Sequence, residues 1–281
     1  MTLAYATLAI LLMAGVASAQ QARLVPVTVD GATVRLEMRI YMPASNDPAP
    51  TLVFNHGSTG NGTSREIALR PIDYPPLAEF FVQRGWAVVM PARRGRGGSE
   101  GTYDEGFAGV PLTGYACDPD ASLPGADRGL RDIEAAMDVI LAMPFVDRTR
   151  VVIGGQSRGG ILSVAYAGRR PEQVKGVINF VGGWNGARCA HATHNNPAVF
   201  ARGARYPEET LWLYGDQDPF YPLSHSRANF AAFEHAGGKG TFLEFPKPAT
   251  SIGHRIVEYP SLWSAAVDAY LKRRGLPATA P

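Results

Sequence analysis

The sequence predicts an α/β fold with a mostly parallel central sheet, helices on both faces and an antiparallel hairpin at its N-terminal end. Three observations predict it. Short, predominantly apolar runs recur at 51–54, 86–90, 150–155, 177–181, 211–214 and 241–245. Runs that are apolar throughout, instead of alternating, belong to strands buried on both faces. Stretches of helical period lie between them, as crossover connections of a parallel sheet require. Residues 24–30 and 33–42 instead alternate apolar and polar on either side of Asp30-Gly31. That alternation is a hairpin signal, with glycine supplying positive φ.

In chain order, residues 43–50 form a loop and 51–54 a strand that runs into Asn55-His56-Gly57-Ser58-Thr59-Gly60. Residues 74–84 carry Leu77, Phe80 and Phe81 at helical spacing, and Gly85 closes that helix. The strand 86–90 leads into an Arg- and Gly-rich turn, and a long loop is expected over 100–127. Leu130, Ile133, Met137, Ile140 and Leu141 then mark an amphipathic helix. Strand 150–155 and helix 161–167 follow, then strand 177–181. Residues 182–206 show no regular period and are expected to be a second long loop. The remainder alternates again: strand 211–214, helix 224–236, strand 241–245 and helix 261–274. No shift of composition divides residues 20–281, which are expected to form one domain.

The chain of 281 residues is 46% hydrophobic and 19% charged, with a formal charge of +2. So small and scattered a charge does not suggest nucleic acid as a partner. Residues 1–19 contain an apolar run, 8–16, followed by Ala17-Ser18-Ala19 before Gln20. This pattern predicts a secretory signal peptide, although Met1 is followed by no nearby Lys or Arg. The run is short for a membrane span of roughly 20 residues, so no stable membrane association is expected once the leader is removed. Export gives meaning to Cys117 and Cys189, the chain's two cysteines. An oxidising compartment favours a disulfide between them, the alternative being two buried free thiols. Neither lies in a metal-ligand spacing, and His191 and His194 lack neighbouring carboxylates, so no metal is expected.

Gly155-Gln156-Ser157-Arg158-Gly159 matches the G-x-S-x-G nucleophile elbow between a strand and a helix. A serine hydroxyl needs a base to take its proton, and the base needs an acid to hold it. The strand 211–214 exits into Gly215-Asp216-Gln217-Asp218, and the strand 241–245 into a loop that reaches His254. Ser157, an aspartate and His254 thus leave successive strands at the edge where parallel sheets place their sites. The order Ser, Asp, His is that of one serine-triad fold among several.

On these motifs the chain resembles the α/β-hydrolases, and more narrowly the dienelactone-hydrolase-like esterases and their peptidase relatives. The resemblance spans residues 24–275. It implies that Asp218 is the triad acid, with Asp216 a turn former. It matches the family's oxyanion segment to His56-Gly57-Ser58-Thr59-Gly60, and its Arg-Gly turn to Arg94-Gly95-Arg96-Gly97-Gly98-Ser99 with one extra glycine. Dienelactone hydrolases carry a cysteine nucleophile, and Ser157 departs from that. The implied chemistry is acyl transfer without metal or cofactor: Ser157 attacks, His254 is the base, and the N–H groups of Arg158 and Ser58 receive the oxyanion. His56 is expected to pin its loop, and Arg94 to bond loop carbonyls. The leading expectation is an exported esterase acting on a small-molecule ester. The rivals are a serine peptidase on the same scaffold and a binding protein that has lost catalysis. The pocket is expected from residues 100–127 and 182–206, with Trp184 and Thr59 as candidate lining residues and a Cys117–Cys189 bridge tying the two stretches together.

Overall fold

The computed structural model describes residues 19–45, 47–62, 64–108 and 114–279. Except for Ala19, the leader expected over 1–19 lies outside the described residues. The first strands are β1 (Ala19–Val29), β2 (Ala32–Met42) and β3 (Ala49–Asn55), followed by two short helices, α1 (Arg65–Ala68) and α2 (Pro75–Val82). Then come β4 (Ala87–Pro91), the small pair β5 (Phe107–Ala108) and β6 (Gly114–Tyr115), and the long helix α3 (Pro119–Ile140). The second half runs β7 (Val146–Gln156), α4 (Arg158–Arg169), β8 (Gly176–Phe180), α5 (Ala192–Phe200), β9 (Thr210–Gly215), α6 (Leu223–His235), β10 (Gly240–Phe245) and α7 (Pro260–Arg273).

Eight strands form one sheet in the order β1-β2-β4-β3-β7-β8-β9-β10. The β1/β2 and β2/β4 pairs are antiparallel and the rest are parallel. Every residue of β3, β4, β8 and β9 is buried, which is why those strands could be apolar without alternation. On β2 Leu36, Met38 and Ile40 face the core, while Glu37 and Arg39 on the opposite face are half-buried. One apolar core, from Val27 to Ala278, lies between the sheet and its helices. Among the described residues no helix is long and apolar enough to cross a membrane.

Two expected loops contain helices. The stretch 100–127 was expected to lack regular structure, yet α3 starts at Pro119. Asp118 caps it, its side chain accepting from the Asp120 N–H at 2.9 Å, and Pro119 occupies the first turn where no N–H is needed. Within 182–206, α5 occupies nine residues and a 3-10 turn covers Ala201–Arg205. Arg94 also differs from expectation. It bonds carboxylates, with Asp132 at 2.6 Å and Asp30 at 2.9 Å, and so ties the turn after β4 to α3 and the first hairpin.

Cys117, just before α3, is bonded to Cys189 across a sequence separation of 72, with the Cα atoms 5.5 Å apart. A cross-link closing that long a loop removes unfolded-state entropy worth about 4 kcal/mol in the chain-entropy description. Replacing both cysteines by alanine is therefore expected to lower the unfolding free energy by about 2–4 kcal/mol. Urea denaturation of the oxidised wild type against the double variant reads this directly, and an unchanged midpoint would rule out a stabilising bridge.

Candidate active site

Ser157 sits between β7 and α4 with φ 57° and ψ −123°. A non-glycine residue held there costs on the order of 1–3 kcal/mol, which the surrounding structure must supply. The flanking glycines make the turn possible. A Cβ on Gly155 would lie 2.4 Å from the Gly159 carbonyl carbon, and one on Gly159 would lie 2.0 Å from the Asn55 oxygen. Strand, helix and the end of β3 therefore meet backbone to backbone, with Ser157 N–H bonded to Phe180 O at 3.0 Å. The next strand end carries strain too: Val181 has φ 42° and precedes Gly182-Gly183, whose second N–H reaches Ser157 O at 3.2 Å.

Asp218 leaves β9 fully buried. Its Oδ2 accepts from His254 Nδ1 at 2.8 Å, and its Oδ1 accepts from the N–H groups of Phe220 at 2.8 Å and Tyr221 at 3.1 Å. Both carboxylate oxygens are engaged, so the group is fixed as an acceptor. With Nδ1 donating to Asp218, His254 presents Nε2 as its free lone pair. Among the described residues the Asp216 carboxylate accepts only from the neighbouring Gln217 N–H at 2.8 Å, and it is exposed, which is the geometry of a turn. His254 lies in a 3-10 turn, Gly253–Glu258, and its own carbonyl accepts from Gln156 Nε2 at 2.8 Å. Gln156 Oε1 accepts in turn from the Tyr74 hydroxyl at 3.0 Å, and that hydroxyl accepts from Gly57 N–H at 3.4 Å. The elbow, the histidine loop and the loop after β3 are thereby joined through two side chains that the motif reading passed over.

Ser157 and His254 line one cavity of about 490 Å³, together with Ser58 and Trp184. Gly57 N–H goes to Tyr74 and Thr59 N–H to the Tyr115 hydroxyl at 3.1 Å. Between them, Ser58 N–H has no protein acceptor among the described residues. Arg158 opens α4, where first-turn N–H groups have no intrahelical partner. Thr59, expected in the pocket lining, is absent from it. Its hydroxyl bonds Tyr115 at 3.0 Å, and Tyr115 takes the lining position in its place. Trp184 does line the cavity, pinned through its indole N–H to Ser122 at 3.0 Å.

Beneath the cavity lies a buried charge cluster. The Arg158 guanidinium is sandwiched between the Tyr115 ring at 3.6 Å and the Trp184 ring at 3.9 Å. It pairs with Glu105 at 3.2 Å, and Arg93 Nε bonds the same carboxylate at 2.6 Å. Burial by itself would raise the Glu105 carboxyl, but the charges of Arg93, Arg158 and Arg96 outweigh it and hold it below its usual value. Arg93 also grips His56, donating its N–H to Nε2 at 3.0 Å and its Nη1 to the His56 carbonyl at 2.9 Å. Burial, reinforced by the charges of Arg93 and Arg96, drives the His56 imidazole well below its usual pKa. His56 is accordingly a neutral pin for the loop that carries Ser58.

The outer wall, residues 184–189 and Cys117, is backed by α5, which itself contributes no lining residue. Asn196 Oδ1 accepts from the N–H groups of Trp184 at 2.8 Å and Asn185 at 2.9 Å, while Asn195 Nδ2 bonds Cys117 O at 2.9 Å. His191 and His194 are exposed near the start of that helix. Among the described residues, no group of three or more His, Cys, Asp or Glu could hold a metal ion.

The family model of X-Pro dipeptidyl-peptidase (S15 family) matches residues 30–215, a stretch that contains Ser157 and ends before Asp218 and His254. Among solved structures the chain is similar to Est1E from Butyrivibrio proteoclasticus with ferulic acid bound, at 18% identity and TM-score 0.59, covering 89% of this chain and 98% of that one. It is similar as well to the Pyrococcus furiosus esterase Pf2001, at 14% identity and TM-score 0.60, covering 90% of each. An acetyl xylan esterase from Paenibacillus sp. R4 matches at 18% identity and TM-score 0.58, covering 92% of this chain and 88% of the other. At such identities these three share a fold with the chain.

Proposed function

The chain belongs to the X-Pro dipeptidyl-peptidase (S15) family of α/β-hydrolases, and from that premise we propose that it is an exported serine hydrolase cleaving carboxylic esters through an acyl-enzyme. The observation that carries the reading is one cavity lined by a strained Ser157 and by a His254 whose Nδ1 is bound to Asp218. In this mechanism His254 Nε2 takes the Ser157 proton as Oγ attacks the ester carbonyl, and Asp218 stabilises the imidazolium. The charge forming on the carbonyl oxygen is received by the N–H groups of Arg158 and Ser58, each worth on the order of 10²–10³ in turnover. Proton return from His254 to the leaving alcohol gives the acyl-enzyme, and a water activated by His254 then releases the acid.

An ester is favoured over an X-Pro peptide by what the cavity holds. A dipeptide with a free amino terminus presents an ammonium, and burying that charge requires an acceptor carboxylate. Among the described residues lining the cavity there is no Asp or Glu. The five residues 109–113 are Gly-Val-Pro-Leu-Thr and add none. The purified protein is expected to hydrolyse phenyl acetate and to leave Ala-Pro-p-nitroanilide untouched. Anilide turnover exceeding ester turnover would reverse the assignment. Export is supported by the leader-like residues 1–19 and by a disulfide, which persists in oxidising compartments. It predicts a mature N-terminus at Gln20, readable by Edman degradation of exported protein.

A further inference from the structure

The cavity is not electrically neutral. Its lining brings in two guanidiniums, Arg158 and Arg188, against no carboxylate among the described residues. Arg158 is spent on Glu105 and on the two aromatic rings that clasp it. Glu105 in turn is shared with Arg93, so one buried negative charge faces two positive ones and the floor of the cavity keeps a positive excess. Arg188 is different. It is exposed at the cavity's edge, and no ion pair engages it among the described residues. Asp118, beside the disulfide, is taken up in capping α3 and does not line the cavity. The position of Arg188 is also fixed: the next residue, Cys189, is bonded to Cys117, and Ala187 N–H bonds Phe220 O at 2.8 Å.

The same wall is aromatic. Phe220 is 37% exposed, with its ring 4.8 Å from the His254 ring, and Tyr115 and Tyr221 stand on the cavity lining with it. Aromatic walls accept a ring and orient it, and a guanidinium at the rim pairs with a carboxylate in a fork geometry. We propose that the substrates are aromatic esters carrying a free carboxylate, whose ring packs against Phe220 while the carboxylate pairs with Arg188. This rests on the esterase reading and narrows it to a substrate class. The field of the buried cluster acts in the same direction, raising the local concentration of anions and repelling cations.

The test separates recognition from catalysis. Binding of 4-hydroxybenzoate and of its uncharged methyl ester is measured by calorimetry, which requires no turnover. The wild type is expected to prefer the anion about five- to tenfold, the range of a charge-assisted hydrogen bond at a partly exposed site. In Arg188→Gln that preference is expected to fall to near unity, and in Arg188→Lys to be largely kept. In turnover, the ratio of kcat/KM for 4-acetoxybenzoate to that for methyl 4-acetoxybenzoate is expected to follow the binding ratio and to shrink as ionic strength rises. Equal binding of the two by the wild type, a preference for a trimethylanilinium analogue, or a ratio that survives Arg188→Gln would each overturn the proposal. The esterase reading is judged separately, by phenyl acetate hydrolysis in the wild type.

Discussion

Replacing Ser157 by alanine is expected to lower kcat for phenyl acetate by about 10⁶, the scale on which a triad nucleophile acts together with its base. The side chain makes no helix-capping hydrogen bond, and the elbow's geometry is imposed by the glycines and the backbone around it. The variant should therefore keep the wild-type melting temperature to within a few degrees. A fluorophosphonate probe should add one equivalent to the wild-type protein and none to Ser157→Ala, with the adduct mapping to the peptide that contains Ser157. The remaining activity is expected to exceed the uncatalysed rate by on the order of 10³–10⁴, because the N–H groups of Arg158 and Ser58 and the cavity itself are untouched. Labelling that persists in Ser157→Ala would place the nucleophile elsewhere. Of the three residues drawn together by the motif reading, Ser157 makes the decisive variant. In the proposed mechanism the acyl-enzyme bond can form only at Ser157, whereas His254 moves protons on either side of that step and Asp218 acts through His254.

The sheet was legible because burial on both faces writes itself into the sequence as unbroken apolar runs, and β3, β4, β8 and β9 lie where those runs are. Ser157 and Asp218 were legible because each follows such a run, and His254 because it lies in the loop that leaves the half-buried edge strand β10. The wall of the cavity was not, and the reason is specific. Helix α5 buries Ala192, Asn195, Asn196, Val199 and Phe200, a faultless helical spacing in which two positions are asparagine. Those two side chains hold the backbone of 184–185 and of Cys117, so the residues that support the wall also erase the apolar period that would reveal their helix. The first turns of α3 are hidden differently. Their buried face is Ser122, Gly125, Ala126 and Gly129, small residues that allow close approach and carry no apolar signal. Asp118-Pro119 was the available clue, an N-cap followed by proline at the first helical position. Glu105 gave no sign at all, since a lone glutamate in a glycine-rich stretch does not announce two arginines converging on it from elsewhere in the chain.

Glu105→Gln is expected to destabilise the protein by about 3–5 kcal/mol, the usual effect of removing one partner from a buried ion pair. The carboxylate is 2% exposed and lies between Arg93 and Arg158, themselves 3% and 2% exposed. Glutamine keeps the shape and one acceptor oxygen, but its amide N–H₂ faces guanidinium donors and leaves two buried cations uncompensated. Activity should fall as well in the protein that remains folded, because Arg93 holds His56, whose loop presents Ser58, and Arg158 supports the Tyr115 and Trp184 walls. The pH dependence gives an independent reading. Glu105 has a folded pKa below its ordinary 4.5, so as pH falls under 4.5 the unfolded chain takes up a proton first and stability is lost through the folded pKa. His56 acts in the same direction and earlier: its folded pKa lies well below 6.5, so between 6.5 and that value only the unfolded chain is protonated. Wild-type unfolding free energy from urea titrations should therefore decline as pH drops below 6.5 and decline again below 4.5, with Glu105→Gln showing a shallower second decline. A wild type equally stable at pH 7 and pH 5 would contradict a buried neutral His56. A Glu105→Gln variant within 1 kcal/mol of wild type would show that the two arginines find compensation the structure does not contain.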